Sequence, residues 1–289
     1  IDCEIKEIRG MVNVAVLGYG TVGSGVVELI HTNQAIIKKH TGEDVRVKYV
    51  LDLREFEGDP VQKILVHDYN TILEDEEVDI VVEVMGGEEP AHNFVKQALE
   101  AGKSACTSNK EMVAKHGAEL IQIANDHDVN FFFEASVGGG IPIIRPLMSS
   151  LTCDDITEVA GILNGTTNYI LTNMREHGSA FEDVLKEAQD KGYAERNPEA
   201  DVEGYDACRK IAILASLICG QQVDYEDIHT EGITKIKESD FVYAESMKAS
   251  IKLLGIYQKV DGKDYAMVAP MMIKKNDPLY HVDGVFNAV

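Results

Sequence analysis

A short apolar run, Val12–Leu17, ends on a glycine, and Gly18-Tyr19-Gly20-Thr21-Val22-Gly23 follows it. Val22, Val26, Val27, Leu29 and Ile30 then recur at roughly helical spacing. Strand, Gly-x-Gly-x-x-Gly turn and helix, in that order, constrain this chain more than any other feature. The first glycine permits a tight turn, and the second lets backbone N–H groups approach a pyrophosphate. The third allows close helix–strand packing, and the helix N-terminus adds favourable partial positive charge. Glycine triplets also occur in ordinary turns, so the context decides. Here it predicts a dinucleotide site built on Gly18, Gly20, Thr21, Val22 and Gly23.

The same alternation continues. Val45–Leu51, Lys63–Val66, Asp79–Val84, Lys103–Thr107 and Asn130–Glu134 read as strands. A helix is expected from Pro90 to about Ala101, ended by Gly102, and another from Glu111 to Asp126. Short apolar runs alternating with helices specify an α/β fold, a Rossmann-type parallel sheet domain over residues 11–135. After Glu134 the rhythm changes. A glycine-rich turn, Val137-Gly138-Gly139-Gly140-Ile141-Pro142, leads to a helix ending near Ser150. A strand at Ile156–Leu163, helices at Phe181–Lys191 and Val202–Cys219, and strands at Ile251–Lys259 and Tyr265–Ile273 follow. Residues 136–289 are therefore expected to form a second, α+β domain.

Lys and Arg number 27 against 49 Asp and Glu, a net charge of −22. A surface of that sign repels phosphate, which argues against nucleic acid or an anionic membrane as partner. No apolar run is long enough to span a bilayer. The first residues, Ile-Asp-Cys-Glu-Ile-Lys-Glu, carry no apolar signal-peptide core. Cys3, Cys106, Cys153, Cys208 and Cys219 show neither a Cys-x-x-Cys pair nor metal-ligand spacing. Scattered thiols of this kind point to a reducing, cytoplasmic setting and against zinc at these cysteines.

Four polar segments are candidates for chemistry. Leu51-Asp52-Leu53-Arg54 closes the second strand. An acid there would hold the ribose of NAD, and an arginine would favour the phosphate of NADP. The two side chains could equally pair with each other. Ser108-Asn109-Lys110 follows a strand at the carboxyl end, where ligands of open α/β sheets collect, although a solvated loop lysine is the plain alternative. Glu134 and the glycine-rich turn after it offer oxygen ligands to a hard cation, or simply a hinge. The densest cluster is Gly192-Tyr193-Ala194-Glu195 with Asp201-Val202-Glu203-Gly204-Tyr205-Asp206 and Lys210. Asp206 and Lys210 stand four apart and share one helix face, ahead of an apolar stretch that buries the rest of that helix. A partly desolvated lysine beside a carboxylate is a suitable proton donor; a surface ion pair is the bland reading.

Taken together, these segments resemble the homoserine dehydrogenase family. The resemblance rests on residues 18–26, on Thr-Ser-Asn-Lys at 107–110 and on Phe-Glu-Ala-Ser-Val-Gly-Gly-Gly-Ile-Pro-Ile-Ile at 133–144. It rests further on Ile-Leu-Asn-Gly-Thr-Thr-Asn-Tyr-Ile-Leu at 162–171, Lys-Gly-Tyr-Ala-Glu at 191–195 and Ala-Asp-Val-Glu-Gly-Tyr-Asp-Ala-Cys-Arg-Lys at 200–210. It implies NAD(P)-dependent interconversion of L-homoserine and L-aspartate 4-semialdehyde, in the biosynthesis of threonine, methionine and isoleucine. By resemblance Lys210 donates the proton and Lys110 contacts both cofactor and substrate. Glu195, Asp201, Asp206 and Lys210 bind the small-molecule substrate. Ser108, Gly192 and Glu195 border the cofactor; Arg54, read from the residues alone, is the further candidate for the cofactor's ribose end. Glu134 and the carbonyls of Val137, Gly139 and Ile141 match a monovalent-cation site, usually Na⁺. The family pairs as a homodimer through the second domain.

Two departures stand out. Many members carry an arginine directly before the aspartate of the second strand, where this chain has Leu51, with Arg54 three residues later. Members also continue past the Asp-Gly-Val-Phe-Asn-Ala segment at 283–288, so a C-terminal truncation is expected. The competing expectations are a Rossmann dehydrogenase for another small amino or hydroxy acid, and a dinucleotide-binding sensor without turnover. An aspartate-semialdehyde dehydrogenase would need an activated cysteine, and nothing near Cys106 activates it.

Overall fold

The structure, a computed structural model, describes residues 10–289. Cys3 and the first residues, on which the expectation about a signal peptide rests, lie outside the described residues. The chain divides into two units, one ending at Ala135 and one running Ser136–Val289.

The first unit is a parallel sheet with helices. Its strands are β1 (Met11–Leu17), β2 (Asp44–Leu51), β3 (Leu65–Val66), β4 (Ile80–Glu83), β5 (Ser104–Thr107) and β6 (Phe131–Phe132). Its helices are α1 (Thr21–Thr32), α2 (Gln34–Thr41), α3 (Asn70–Leu73), α4 (Ala91–Glu100) and α5 (Lys110–Asp126). The strand order is β3-β2-β1-β4-β5-β6, every pair parallel. This is a Rossmann-type sheet, and its order reverses between β1 and β4, the place where such sheets bind ligands. β1 is apolar on both faces because both are covered. Val14 and Val16 pack with Ile30, Val26 and Val27 of α1. Ala15 and Leu17 face Ile72 of α3 and Ala98 of α4. Lys63 belongs to a 3-10 turn, Pro60–Lys63, rather than to the strand expected from Lys63.

The second unit is an α+β layer. Its strands are β7 (Glu158–Gly161), β8 (His229–Thr230), β9 (Ala249–Val260) and β10 (Lys263–Lys274), in the order β7-β9-β10-β8. Its helices are α6 (Gly165–His177), α7 (Phe181–Asp190), α8 (Glu199–Val202), α9 (Tyr205–Cys219) and α10 (Glu238–Ser246). Between Pro142 and Ser150 the expected helix is one π-helical turn, Pro146–Ser150. The stretch from Val202 to Cys219 is not one helix. Gly204, at φ 83°, separates α8 from α9, and a Cβ there would press Thr230 and Val268 at 3.2 and 3.3 Å. The sequence pattern announces neither α6 nor α10. α6 buries Thr167, Asn168 and Thr172 among its apolar residues, which hides the apolar periodicity. α10 buries only Phe241 and Ala244 and leaves Val242 and Tyr243 exposed.

Candidate active site

In the first unit the glycine turn lies against the ends of β1 and β2. Gly18 has φ 99°, and its N–H donates to the Leu51 carbonyl at 2.8 Å. A Cβ on Gly23 would stand 1.9 Å from the Gly18 carbonyl oxygen, so the third glycine is required by the fold itself. Gly20 differs: a Cβ there would meet nothing within 4 Å. Gly20 is the N-cap of α1, where no side chain caps the helix and no acid occupies the first turn. With the start of α1 uncapped and free of first-turn acid, the clearance at Gly20 leaves room for a pyrophosphate beside it.

Asp52 ties the end of β2 to this loop. Its carboxylate accepts from the Tyr19 N–H at 2.8 Å, the Arg54 N–H at 3.0 Å, and Arg54 Nε and Nη2 at 2.9 and 2.8 Å. Those Arg54 hydrogen bonds, with the two backbone N–H groups, outweigh burial and hold the Asp52 carboxyl far below the ordinary range. Arg54 also donates to the Tyr19 carbonyl at 3.2 Å and lies 5.1 Å from the Phe56 ring centre. Gly18, Gly20, Asp52, Arg54, His67 and Tyr69 are among the residues lining an adjacent cavity of about 520 Å³.

Lys110 opens α5, directly beyond β5. Its place follows from a chain of buried polar contacts at the ends of β4 and β5. The fully buried Glu83 accepts from Thr107 Oγ1 at 2.6 Å and from the Met85 N–H at 2.7 Å. Thr107 Oγ1 accepts from the Asn109 N–H at 2.9 Å, and Asn109 Oδ1 caps α5 through the Met112 N–H at 3.1 Å. Asn109 Nδ2 also donates to the Gly87 carbonyl. Ser108 lies between these two anchored residues. Burial pushes the Cys106 thiol up, the opposite of what a nucleophilic cysteine requires.

In the second unit Lys210 Nζ donates to Asp206 Oδ2 at 2.7 Å and to the Leu163 carbonyl at 2.8 Å. The lysine side chain is 15% exposed and the Asp206 side chain 6%, so this is no ordinary surface ion pair. Asn164 organises the group. Its Oδ1 caps α6 through the Thr167 N–H at 2.9 Å, while its Nδ2 donates to Asp201 at 2.8 Å and Asp206 at 2.9 Å. One amide thus brings α6, α8 and α9 to a common point. The turn after α7 joins through backbone: Gly192 has φ 77°, Thr166 Oγ1 donates to the Tyr193 carbonyl at 2.7 Å, and the Glu195 carbonyl accepts from Gln189.

Glu134 starts a 3-10 turn, Glu134–Ser136. Of the residues that follow, Val137 is buried and Ile141 is half-buried, while a Cβ added to Gly139 would meet nothing within 4 Å.

Two family descriptions match this chain: "Homoserine dehydrogenase, NAD binding domain" over residues 18–134 and "Homoserine dehydrogenase" over residues 142–289. The chain belongs to the homoserine dehydrogenase family. The homoserine dehydrogenase of Bacillus subtilis is 42% identical over 288 residues, covering 99% of this chain and 66% of that protein. The Helicobacter pylori homoserine dehydrogenase is 44% identical, covering 98% and 66%. This chain therefore spans just under two thirds of the length of those relatives. A crystal structure of a homoserine dehydrogenase from Thiobacillus denitrificans superposes with a TM-score of 0.89 at 40% identity, over 96% of this chain and 65% of that one. A hyperthermophilic archaeal homoserine dehydrogenase in complex with NADPH gives 0.80 at 27% identity, over 96% and 86%.

Against this homoserine dehydrogenase background, two supports are not evident from the sequence. Asn164 stands in a family motif with no role of its own there, although an Asn three residues ahead of a threonine at a helix start is a capping pattern. Glu83 and Thr107 look like ordinary strand residues; only the parallel register, which sets Glu83 beside Thr107, makes them partners.

Proposed function

We propose that this protein interconverts L-homoserine and L-aspartate 4-semialdehyde with NAD(P)(H), in the cytoplasmic route to threonine, methionine and isoleucine. The observation that carries this reading is Lys210, an ammonium fixed between Asp206 and the Leu163 carbonyl in a largely buried polar group. The cofactor, when bound, supplies or accepts the hydride. Gly18, Gly20 and the first turn of α1 hold its pyrophosphate. Arg54 holds a phosphate on the adenosine ribose, because Asp52 is already engaged by Arg54 and Tyr19 and fixes the guanidinium beside the cavity. NADP(H) is accordingly the favoured form.

During reduction Lys210 gives its proton to the aldehyde oxygen, and in oxidation it receives one from the homoserine hydroxyl. Asp206 orients the ammonium and Asn164 orients Asp206. Glu195 and Asp201 hold the substrate's amino group. Lys110, Ser108, Gly192 and Glu195 border the nicotinamide side. Glu134 with the carbonyls of Val137, Gly139 and Ile141 offers an all-oxygen donor set suited to a monovalent cation such as Na⁺, which would brace this turn. The second unit pairs with another copy of the chain; Tyr265 and Met267, two residues apart on β10, share an exposed side.

The test is NADPH production or consumption followed by absorbance, with homoserine, other small amino acids and hydroxy acids compared. Preference for homoserine supports the proposal. Equal rates across the panel, or coenzyme binding without turnover, would remove it.

A further inference from the structure

We propose that His92, His116 and Glu119 form a binding site for a divalent cation of the zinc class, bracing α4 against α5. The three side chains can each present one donor atom within 4.8 Å of the others. His92 Nε2 lies 3.1 Å from Glu119 Oε2, and His116 Nδ1 lies 3.7 Å from the same oxygen. None of the three lines the cavity beside the glycine turn.

The opposite ring nitrogens carry the argument further. His92 Nδ1 is 3.2 Å from Glu89 Oε1, and His116 Nε2 is 2.9 Å from Glu88 Oε1. A neutral imidazole has one N–H and one lone pair. With its N–H directed at the carboxylate behind it, each ring turns a lone pair toward Glu119. In that tautomer two imidazole nitrogens and a carboxylate oxygen lie close enough together to ligate a single cation. The two rings are stacked, with centres 3.8 Å apart and planes 13° from parallel, so both present an edge to the same side of Glu119. A carboxylate behind a histidine is the usual partner of a metal-ligating imidazole, fixing its tautomer and orientation.

The lysines fit the same scheme. Lys96 takes Glu119 Oε1 at 2.6 Å and leaves Oε2 facing the histidines. Lys115 holds Glu88 at 2.8 Å. The histidine side chains are 14% and 21% exposed, partly shielded yet reachable. Two imidazole nitrogens and one carboxylate oxygen suit Zn²⁺ rather than Ca²⁺ or Mg²⁺. Metal–nitrogen distances near 2.0–2.1 Å require the rings to turn out of the stack, with water as the fourth ligand.

The probe is Zn²⁺ itself, titrated into chelator-treated protein against a chromophoric chelator, with Co²⁺ as a spectroscopic substitute. One equivalent of Zn²⁺ should bind per chain, and Co²⁺ should give visible absorption of a low-coordinate nitrogen–oxygen site. Glu88→Gln and Glu89→Gln keep all three ligands and should weaken Zn²⁺ binding by about 10–100-fold. His92→Ala, His116→Ala and Glu119→Gln should abolish it, with circular dichroism checking that each variant is folded. Failure of the unaltered protein to bind, or binding that survives all three ligand substitutions, overturns the proposal. Coenzyme turnover is not part of this readout, so its outcome stands apart from the activity proposed above.

Discussion

The glycine turn of the first unit presents mainly backbone: N–H groups at a helix start, shaped by glycines that have no side chain to offer. The polar group of the second unit is the reverse, a set of side chains from α6, α8 and α9 held by Asn164, with backbone entering through the Leu163 carbonyl. A backbone site demands a local conformation, so its residues are adjacent in sequence. A side-chain site demands a tertiary arrangement, and its members are spread from 163 to 210. The first should therefore govern coenzyme affinity, and the second the rate.

Lys210→Ala is the sharpest way to break that division. Removing a positioned proton donor should lower kcat by about 10²–10⁴-fold, while coenzyme affinity measured by fluorescence titration stays within a factor of a few. A comparable loss of coenzyme affinity would show that the two units do not divide the work in this way.

Gly23→Ala probes the other side. Its Cβ would fall 1.9 Å from the Gly18 oxygen, so α1 must move away from the turn. The expected cost is about 1–3 kcal/mol in stability, read by denaturant unfolding, with a matching loss of coenzyme affinity. Gly20→Ala has room within the protein and should cost little stability, yet it should still impair coenzyme binding. If it left binding intact, the pyrophosphate would not lie over the second glycine.

Asn164→Ala should come next in size. It removes a helix cap and strips a donor from Asp201 and Asp206, costing about 1–3 kcal/mol. Substrate KM should rise and the pH dependence of kcat should change, because Asp206 would no longer be held toward Lys210. A loss of stability with unaltered kinetics would reduce Asn164 to a cap.

These contrasts also explain how much of the molecule is legible in its sequence. The parallel sheet is legible because β1 and β4 are mainly apolar runs, β2 alternates valines with charged residues and β5 is a short strand of small residues between helical stretches. The glycine turn is legible because its requirements are local. Asp206 and Lys210 pair as a four-residue spacing on one helix predicts. Asn164, forty-two residues from Asp206, cannot be paired with it by any periodicity. α6 is hidden for a related reason: the buried Thr167, Asn168 and Thr172 look like loop residues until the groups they bond are in place. Asn168 Nδ2, for example, donates to the Val282 and Phe286 carbonyls, more than a hundred residues away.

The smallest expected effects lie at Asp52 and Arg54, where the first unit does use side chains. Arg54→Ala should weaken NADP(H) while leaving NAD(H) nearly unchanged, measured as the ratio of the two dissociation constants; an equal loss of both would assign Arg54 to the loop rather than to a ribose phosphate. Asp52 tests the same contact through pH. Its hydrogen bonds from Arg54 depress the folded-state carboxyl below the ordinary aspartate value of 3.8, so the unfolded chain binds the proton more readily. The stabilisation is complete above that value and is lost as pH falls toward the depressed one. Arg54 is 61% exposed, which limits the contribution to about 1 kcal/mol or less. Asp52→Asn should therefore flatten the acid limb of a stability–pH curve measured by urea unfolding and leave the slope above pH 5 unchanged. An unaltered acid limb would mean that the Asp52–Arg54 contact is too well solvated to fix the guanidinium, and the coenzyme preference would then have to arise elsewhere around the cavity.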